Sequence, residues 1–423
     1  MIITSRATFR PRNMAFVPLL NRACRFQSTS SQQEMFLKEY KIRSSLERLV
    51  HHYSEKQLPQ FSLRRLYDQS TKLDHNYILQ NARDTIEWLI IYNARRLSDF
   101  RRLPYLVILN PSISECYSSY LHTMSSLITA SLDAPTTAQD NEKFVETLED
   151  FIEVHADTLP VLSKGFTEVL HLISQEQVTH FLDNHLRERI VMRLIAHQHV
   201  QLTKTLCSDE YVPGGKFNGV IRQLNIADVI TKNAELVNDI CLMKYDQSVP
   251  ITIDTNMYPP AFWSRQDPHD SPRNKGDPNM FPYIEYHLDY ILMEIFKNSF
   301  RAHIENGVSD PVQVTISTSE SPSYLELRIR DKGKGIPPNI LSHIFDYSFS
   351  TYESGEGDSY KTLNVPPGAA GNTVAGMGYG LPLSKNYVEI FNKTEGSKIM
   401  GSLTMQSYLG WGTDVYLKTV GTE

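Results

Sequence analysis

Glu294, Asn298 and Arg301 stand four and three residues apart with Lys297 beside them, so a helix here would put a carboxylate, an amide oxygen and two cations on one strip. That combination suits metal-bound phosphate. The amide of Asn298 can complete the octahedral shell of a magnesium ion alongside phosphate oxygens and waters, and Glu294 can serve as general base or orient an attacking hydroxyl. A solvated helix face would carry the same residues. Downstream runs Asp331-Lys332-Gly333-Lys334-Gly335-Ile336. The Asp331 carboxylate can accept a bond from an adenine amino group while Gly333 and Gly335 let the chain turn beside a flat ring; a plain Asp/Gly turn is the bland alternative. Gly376, Met377, Gly378, Tyr379, Gly380 and Leu381 then open a helical pattern, where exposed backbone N–H groups would meet phosphate oxygens. Thr413, in the tight turn Gly410-Trp411-Gly412-Thr413-Asp414, could reach the adenine edge through its hydroxyl or simply close a hairpin. Each signal is weak alone. In this order they describe a site for ATP and a divalent metal.

Other nucleotide sites are excluded. No GxxxxGK[ST] occurs, and an early GxGxxG strand loop, an HRD loop and a DFG triplet are absent, so this is neither a Walker site nor an ordinary protein kinase. The Gly-rich segment lacks the leading strand and acidic ribose partner of a dinucleotide fingerprint. Residues 346–375, rich in Gly, Ser and Thr, are placed to close over a nucleotide, or form a disordered insertion.

The elements that must position these residues follow from periodicity. From about residue 34 to 206 apolar positions recur at helical steps, as in Phe144, Leu148, Phe151, His155, Leu159 and Leu162, and again in Phe181, Leu186, Ile190, Leu194 and Ile195. Such stripes can be buried only against one another, which predicts an antiparallel helical bundle over 34–206. Pro213-Gly214-Gly215 predicts a hinge to a second domain over 216–423. There the spacing predicts a strand at 220–223, a helix at 228–245 capped by Asp228, and a Pro-rich surface loop at 259–282. A helix (283–306), two strands (312–319, 323–330), a short helix (338–344), a helix (380–391) and two strands (402–407, 413–419) follow. That is a mixed sheet with helices on one face.

Composition sets the class. A chain of 423 residues with 41% hydrophobic and 21% charged residues is an ordinary globular protein able to bury substantial cores. A net charge of −6 argues against nucleic acid as a partner held by general phosphate attraction. No apolar run is long enough for a membrane span. Cys24, Cys116, Cys207 and Cys241 lie far apart without zinc spacing and read as reduced thiols. Residues 1–33 hold Arg6, Arg10, Arg12, Arg22 and Arg25 and no acid, the make-up of a mitochondrial transit peptide; cleavage before Ser28 would remove 1–27. A basic tail is the alternative.

The motif order resembles the GHKL ATP-binding fold of heat-shock chaperones, gyrases, mismatch-repair proteins and histidine kinases. More closely, the chain is similar to the mitochondrial kinases of the pyruvate and branched-chain 2-oxoacid dehydrogenase complexes, over about 40–420. The strings that carry this include Arg102-Leu103-Pro104 with Asn110-Pro111-Ser112-Ile113, Phe181-Leu182-Asp183, Arg193 to His199, Glu294 to Arg301, Tyr379-Gly380-Leu381-Pro382 and Gly412 to Leu417. The resemblance implies an N-terminal helical bundle followed by a mixed-sheet α/β sandwich, and phosphorylation of serine on an E1α subunit in the mitochondrial matrix. It implies Glu294 as base, Asn298 on Mg²⁺, Asp331 and Thr413 on adenine, and Gly376 to Leu381 on phosphates. It also implies a potassium ion near the nucleotide, a homodimer through the C-terminal domain, and docking to lipoyl domains of the complex core.

Departures from the family pattern bear on substrate and regulation. Tyr290 stands where pyruvate dehydrogenase kinases usually have a His that pairs with the base, which is closer to the branched-chain kinase. His155 and Arg193 fit a regulatory pocket for a small carboxylate, but Ile152 replaces the Arg of pyruvate-responsive members. A long C-terminal tail with an Asp-Trp pair, which locks lipoyl domains in some members, is not expected. The leading expectation is a serine kinase of the pyruvate dehydrogenase complex. The branched-chain complex as substrate, a nucleotide-gated binding module without transfer, and a self-phosphorylating histidine kinase are the competing readings; no His-Glu pair lies on a dimerisation helix for the last.

Overall fold

The computed structural model describes residues 30–58, 61–155, 158–255, 279–320, 323–347, 378–392 and 400–421. The chain divides into two compact units, residues 1–49 and 50–423, and α1 (Ser30–Ser54) begins in the first.

In the second unit, helices begin where the sequence supplies caps. Ser62 accepts from Arg65 N ahead of α2 (Leu63–Thr71), and α3 (Tyr77–Arg102) and the single turn α4 (Tyr105–Ile108) follow. Asn110 accepts from Ser112 N and Ile113 N to open α5 (Pro111–Leu132), with Pro111 where a missing N–H costs nothing. Capping boxes, Thr137 with Asp140 and Ser174 with Gln177, start α6 (Ala138–Val154) and α8 (Gln175–Leu206), with α7 (Thr158–Glu168) between them. Helix α3 packs on α5 and α8, α5 on α7, and α6 on α8. The predicted stripes are thereby buried, Leu148, Leu159, Leu162, Leu186 and Leu194 completely. The expected hinge is a turn, with Gly214 at φ +70°, and it is anchored to the helices. Tyr211 Oη donates to Leu73 O (2.6 Å), and Asn218 Nδ2 donates to Ser70 O (3.2 Å).

Strands and helices then interleave as β1 (Ile221–Asn225), α9 (Ile226–Tyr245), β2 (Ile251–Thr255), β3 (Met280–Ile284), α10 (Glu285–Glu305), β4 (Val312–Glu320), β5 (Ser323–Asp331), α11 (Pro338–Leu341), α12 (Gly380–Glu389), β6 (Ser402–Tyr408) and β7 (Gly412–Val420). One sheet has the order β2-β4-β5-β7-β6, with β2 and β4 parallel and the other pairs antiparallel. Strands β1 and β3 form a separate antiparallel pair. Helix α10 packs on β5, α12 on β6 and α9 on α10.

Two details differ from the sequence reading. Helix α9 is capped by Asn225, which accepts from Ala227 N, and not by Asp228; the chain turns straight from β1 into the helix, leaving Asp228 in the first turn beside the helix dipole. Strands β2 and β3 went unforeseen. Strand β3 lies partly within the Pro-rich stretch, and Pro282 is tolerated because β3 pairs on one side only.

Helix α12 is also tied to α8. Arg187 pairs with Asp183 (3.0 Å) and with Glu389 of α12 (3.3 Å), Tyr347 Oη donates to Asp183 Oδ1 (2.9 Å), and Asn386 Nδ2 donates to Tyr347 Oη (2.7 Å).

Candidate active site

Helix α10 presents the predicted strip. Glu294 is buried, Asn298 is exposed, and Lys297 and Arg301 are half-buried. Lys297 Nζ donates to Glu294 Oε1. The other carboxylate oxygen lies against the first residue of α12, where a Cβ on Gly380 would stand 2.1 Å from Oε2. A side chain at 380 would push the Glu294 carboxylate aside. Arg301 Nε donates to Glu305 Oε1 at 2.6 Å, one turn further along the helix. One turn before Glu294 the Tyr290 hydroxyl is buried with no hydrogen-bond partner among the described residues, its ring packed on Tyr387 of α12. Lys297 therefore holds the carboxylate, and Tyr290 does not.

Gly380→Ala is expected to fold and to lose about 100-fold or more in phosphoryl transfer, since displacing a reacting group by an ångström costs about that much. Turnover within threefold of wild type would show that the carboxylate's seat against α12 is irrelevant.

Asp331 ends β5 on the face that also carries Leu325, Leu327 and Ile329, so strand alternation drives an acid into a core position. Burial pushes its carboxyl up to about 6, against the opposing effect of two backbone N–H bonds. Those bonds come from Gly333 N (2.9 Å) and Thr413 N (3.2 Å), both to Oδ1. Asp331 and Ser407 each pair in register with Thr413, so three neighbouring strands bring these side chains into one row.

The glycines after Asp331 are required by the protein itself. A Cβ on Gly333 would lie 2.8 Å from Ala302 Cβ of α10, and one on Gly335, at φ +78°, would lie 2.2 Å from Tyr408 O. Sequence reasoning missed two residues that hold this loop. His303 Nε2 accepts from Lys332 N (2.9 Å), and Ser407 Oγ accepts from Ile336 N (2.7 Å). The only available signal for Ser407 was strand parity, since it shares the alternation of Leu403 and Met405.

Gly376 and Met377, with most of 346–375, lie outside the described residues. Gly378 has φ +75°, and Tyr379 is the buried N-cap of α12 without a side-chain cap bond. The first-turn N–H groups of Gly380 and Leu381 are the kind that bind anions.

His155 and Arg193 line one cavity of about 10 Å³ with Tyr120, Phe151, Ile152, Arg189 and Met192, room for about one water. Burial and Arg189 push the His155 imidazole down to about 3, so it is neutral at physiological pH. It bonds Thr123 Oγ1 (2.8 Å), and Arg189 Nη2 donates to His155 O (2.7 Å). A cleft of about 580 Å³ opens beside Arg193, His197, Tyr286 and Asp289, towards the start of α10 and not at Glu294. Its walls already pair Lys204 with Glu149 (2.7 Å) and Asp289 with Lys232 (3.3 Å).

A mixed sheet whose central strand ends in a buried acid, with a helical carboxylate seated on the N-terminus of a second helix, defines an ATP-binding domain of the GHKL class. Residues 284–420 match the family described as histidine kinase-, DNA gyrase B- and HSP90-like ATPase. Residues 60–222 match the family described as mitochondrial branched-chain alpha-ketoacid dehydrogenase kinase. The chain is 33% identical over 396 residues to pyruvate dehydrogenase (acetyl-transferring) kinase 1, mitochondrial, of Saccharomyces cerevisiae, spanning 92% of this chain and 91% of that protein. It is 25% identical to isozyme 1 of Rattus norvegicus over 78% of this chain and 70% of the relative, and 27% identical to isozyme 4 of Mus musculus over 78% and 74%. The protein belongs to the family of mitochondrial pyruvate dehydrogenase and branched-chain 2-oxoacid dehydrogenase kinases.

Proposed function

We propose that the protein is a serine kinase of the mitochondrial matrix that uses Mg·ATP to phosphorylate, and so inactivate, the E1α subunit of the pyruvate dehydrogenase complex. The observation that carries this reading is the contact of Glu294 Oε2 with Gly380, which puts a carboxylate at the helix N-terminus expected to hold phosphate. The names of the three relatives support the same substrate. Glu294 aligns the serine hydroxyl for in-line attack and accepts its proton, while Lys297 steadies the carboxylate. Gly378 to Leu381, extended by Gly376 and Met377, hold the phosphates through backbone N–H groups. Asp331 and Thr413 read adenine. Asn298 supplies an amide oxygen to magnesium, which neutralises the triphosphate when bound. Among the described residues no group of three or more His, Cys, Asp or Glu could hold a metal. Arg301 joins the site by leaving Glu305.

The same reading includes removal of 1–27 on import, a helical docking domain over 34–206 and a kinase domain over 216–423. It also includes a homodimer, lipoyl-domain docking and a potassium ion near the nucleotide. His155 and Arg193 form the regulatory pocket, which must widen before a small carboxylate enters, and Ile152 argues against pyruvate as that ligand. Among the described residues no helix is long and apolar enough to cross a membrane.

The branched-chain complex is the second reading, favoured by the description of the family matched at 60–222 and by Tyr290. Both are tested by incubating the purified protein and Mg·ATP with each intact complex and following phosphoserine on E1α. Labelling of the pyruvate complex alone is expected. Labelling of the branched-chain complex alone reassigns the substrate, and labelling of neither, with ATP bound, favours a nucleotide-gated binding module.

A further inference from the structure

The turn after Asp331 is tied to the far end of the helix that carries Glu294 and Asn298. His303 of α10 is fully buried, and its Nε2 accepts from Lys332 N at 2.9 Å. A neutral imidazole has one N–H and one acceptor, so this bond fixes the hydrogen on Nδ1. Burial holds the imidazole pKa below its ordinary value, against the opposing pull of Asp310, and a neutral ring keeps Nε2 an acceptor. Lys332 Nζ also pairs with Asp310 of the loop after α10 (3.2 Å), but that pair is exposed and contributes little. The main-chain bond to His303 is the tether.

What the tether protects is the aim of a carboxylate. Gly333 N and Thr413 N both bond Asp331 Oδ1, which leaves Oδ2 to a ligand. Thr413 is fixed by the pairing of β5 with β7, whereas Gly333 sits in a turn with a second glycine at φ +78°, a backbone with many alternatives. The far end of the turn is held by Ile336 N on Ser407 Oγ and by Gly410 N on Lys334 O, both at 2.7 Å. The near end is held by His303. If Lys332 N leaves Nε2, Gly333 N is free to leave Oδ1, and the carboxylate can rotate. The His303 bond exists with or without nucleotide, so its loss reaches affinity by one route: a turn that is in place only part of the time lowers the apparent affinity by that fraction.

We infer that His303 is a positioning residue for the nucleotide, holding the turn at 332–333 so that the Asp331 carboxylate is aimed before a base arrives. This rests on the reading of Asp331 as the acceptor for the base. His303 stands five residues beyond Asn298 and nine beyond Glu294, about 7.5 and 13.5 Å along α10. One bond thus joins the base end of the site to the helix that handles phosphate and the reacting hydroxyl. The phosphate end is built from other segments, the start of α12 and the middle of α10, so its own affinity does not depend on the tether.

The test uses the full-length protein with three substitutions, the thermal midpoint of each confirming folding. His303→Leu keeps apolar bulk without an acceptor, His303→Asn is polar but too short to reach Lys332 N, and His303→Gln can put its Oε1 where Nε2 stands. Dissociation constants are measured for Mg·ADP, adenosine and Mg·pyrophosphate, and amide exchange over 331–336 is followed by mass spectrometry without ligand. For the Leu and Asn variants, Mg·ADP and adenosine are expected to bind about three- to tenfold more weakly by a common factor, bounded by the worth of one hydrogen bond. Mg·pyrophosphate should change by less than about twofold, because it does not touch the turn. Exchange over the turn should quicken in both variants, and His303→Gln should restore affinity and protection together. Faster exchange with unchanged ADP affinity would overturn the inference, leaving His303 as a structural tie alone. Equal weakening of all three ligands would overturn it as well, by making His303 a general support of the domain. If the wild-type protein does not bind adenosine and holds ADP no more tightly than pyrophosphate, the reading of Asp331 itself is wrong and the inference falls with it.

Discussion

Glu294→Gln is expected to bind Mg·ATP about as tightly as the wild-type protein while transferring phosphate about 100- to 10,000-fold more slowly. The amide matches the carboxylate in shape, so it can keep its seat against Gly380 and offer an oxygen to Lys297. What it loses is the capacity to take a proton from an incoming hydroxyl. The predicted split, unchanged affinity with lost turnover, separates this role from one in holding nucleotide. Binding is followed by calorimetry and transfer by phosphoserine formation. Unchanged turnover would remove Glu294 from the chemistry, and lost affinity would move it to the nucleotide or its metal.

Replacement of Asp331 should give the second large effect, on binding. Asp331→Ala removes the acceptor for the adenine amino group and leaves Gly333 N and Thr413 N without their bonds, each buried donor costing about 1–3 kcal/mol. Those two bonds are lost with or without nucleotide and so weaken the fold. The affinity falls by the bond to adenine alone, about 1.5–3 kcal/mol for a charged acceptor, and the ADP dissociation constant rises about 10- to 150-fold. Asp331→Asn is the sharper probe. Its amide oxygen can keep both backbone bonds, so the fold should hold, yet its NH₂ would face the adenine amino group donor to donor. An Asn variant that binds ADP like wild type would exclude Asp331 from adenine recognition.

Because burial raises the Asp331 carboxyl to about 6, the same residue predicts a pH dependence. The ionised form is the one that accepts from adenine, so bound ADP favours loss of the proton. By linkage, ADP affinity falls as pH drops through about 6. A protonated Asp331 can donate to a 6-oxo group, so the preference for ADP over IDP should narrow over that range. The ratio cancels the titration of the nucleotide phosphates. A flat ratio between pH 5.5 and 8 would show that Asp331 does not titrate at the purine.

How far the sequence leads can be seen at particular residues. The spacing of Glu294, Lys297 and Asn298 on one turn of α10 is a local, periodic property, and it is legible before any folding. So is the alternation of β5. Other features rest on partners distant in sequence. Glycine at 380 reads as a phosphate-loop residue, but its tightest constraint is a carboxylate 86 positions away. Gly333 and Gly335 read as room for a ring; Ala302 and the Tyr408 carbonyl account for them. Asp228 is a reasonable cap by local rules, and it lost to Asn225 because the strand before it ended where pairing with β3 ended.

By itself, then, the sequence determined the class of chemistry and the order of the elements from α10 onward, because residue type and the 3.6- and 2-residue periods are local quantities. Only the tertiary structure decided that Lys297 and not Tyr290 holds the Glu294 carboxylate, that α12 closes on its other oxygen, and that Ser407 stands behind Thr413. Those outcomes depend on strand register and helix packing. A shift of one residue in register would put Ser407 on the opposite face of the sheet.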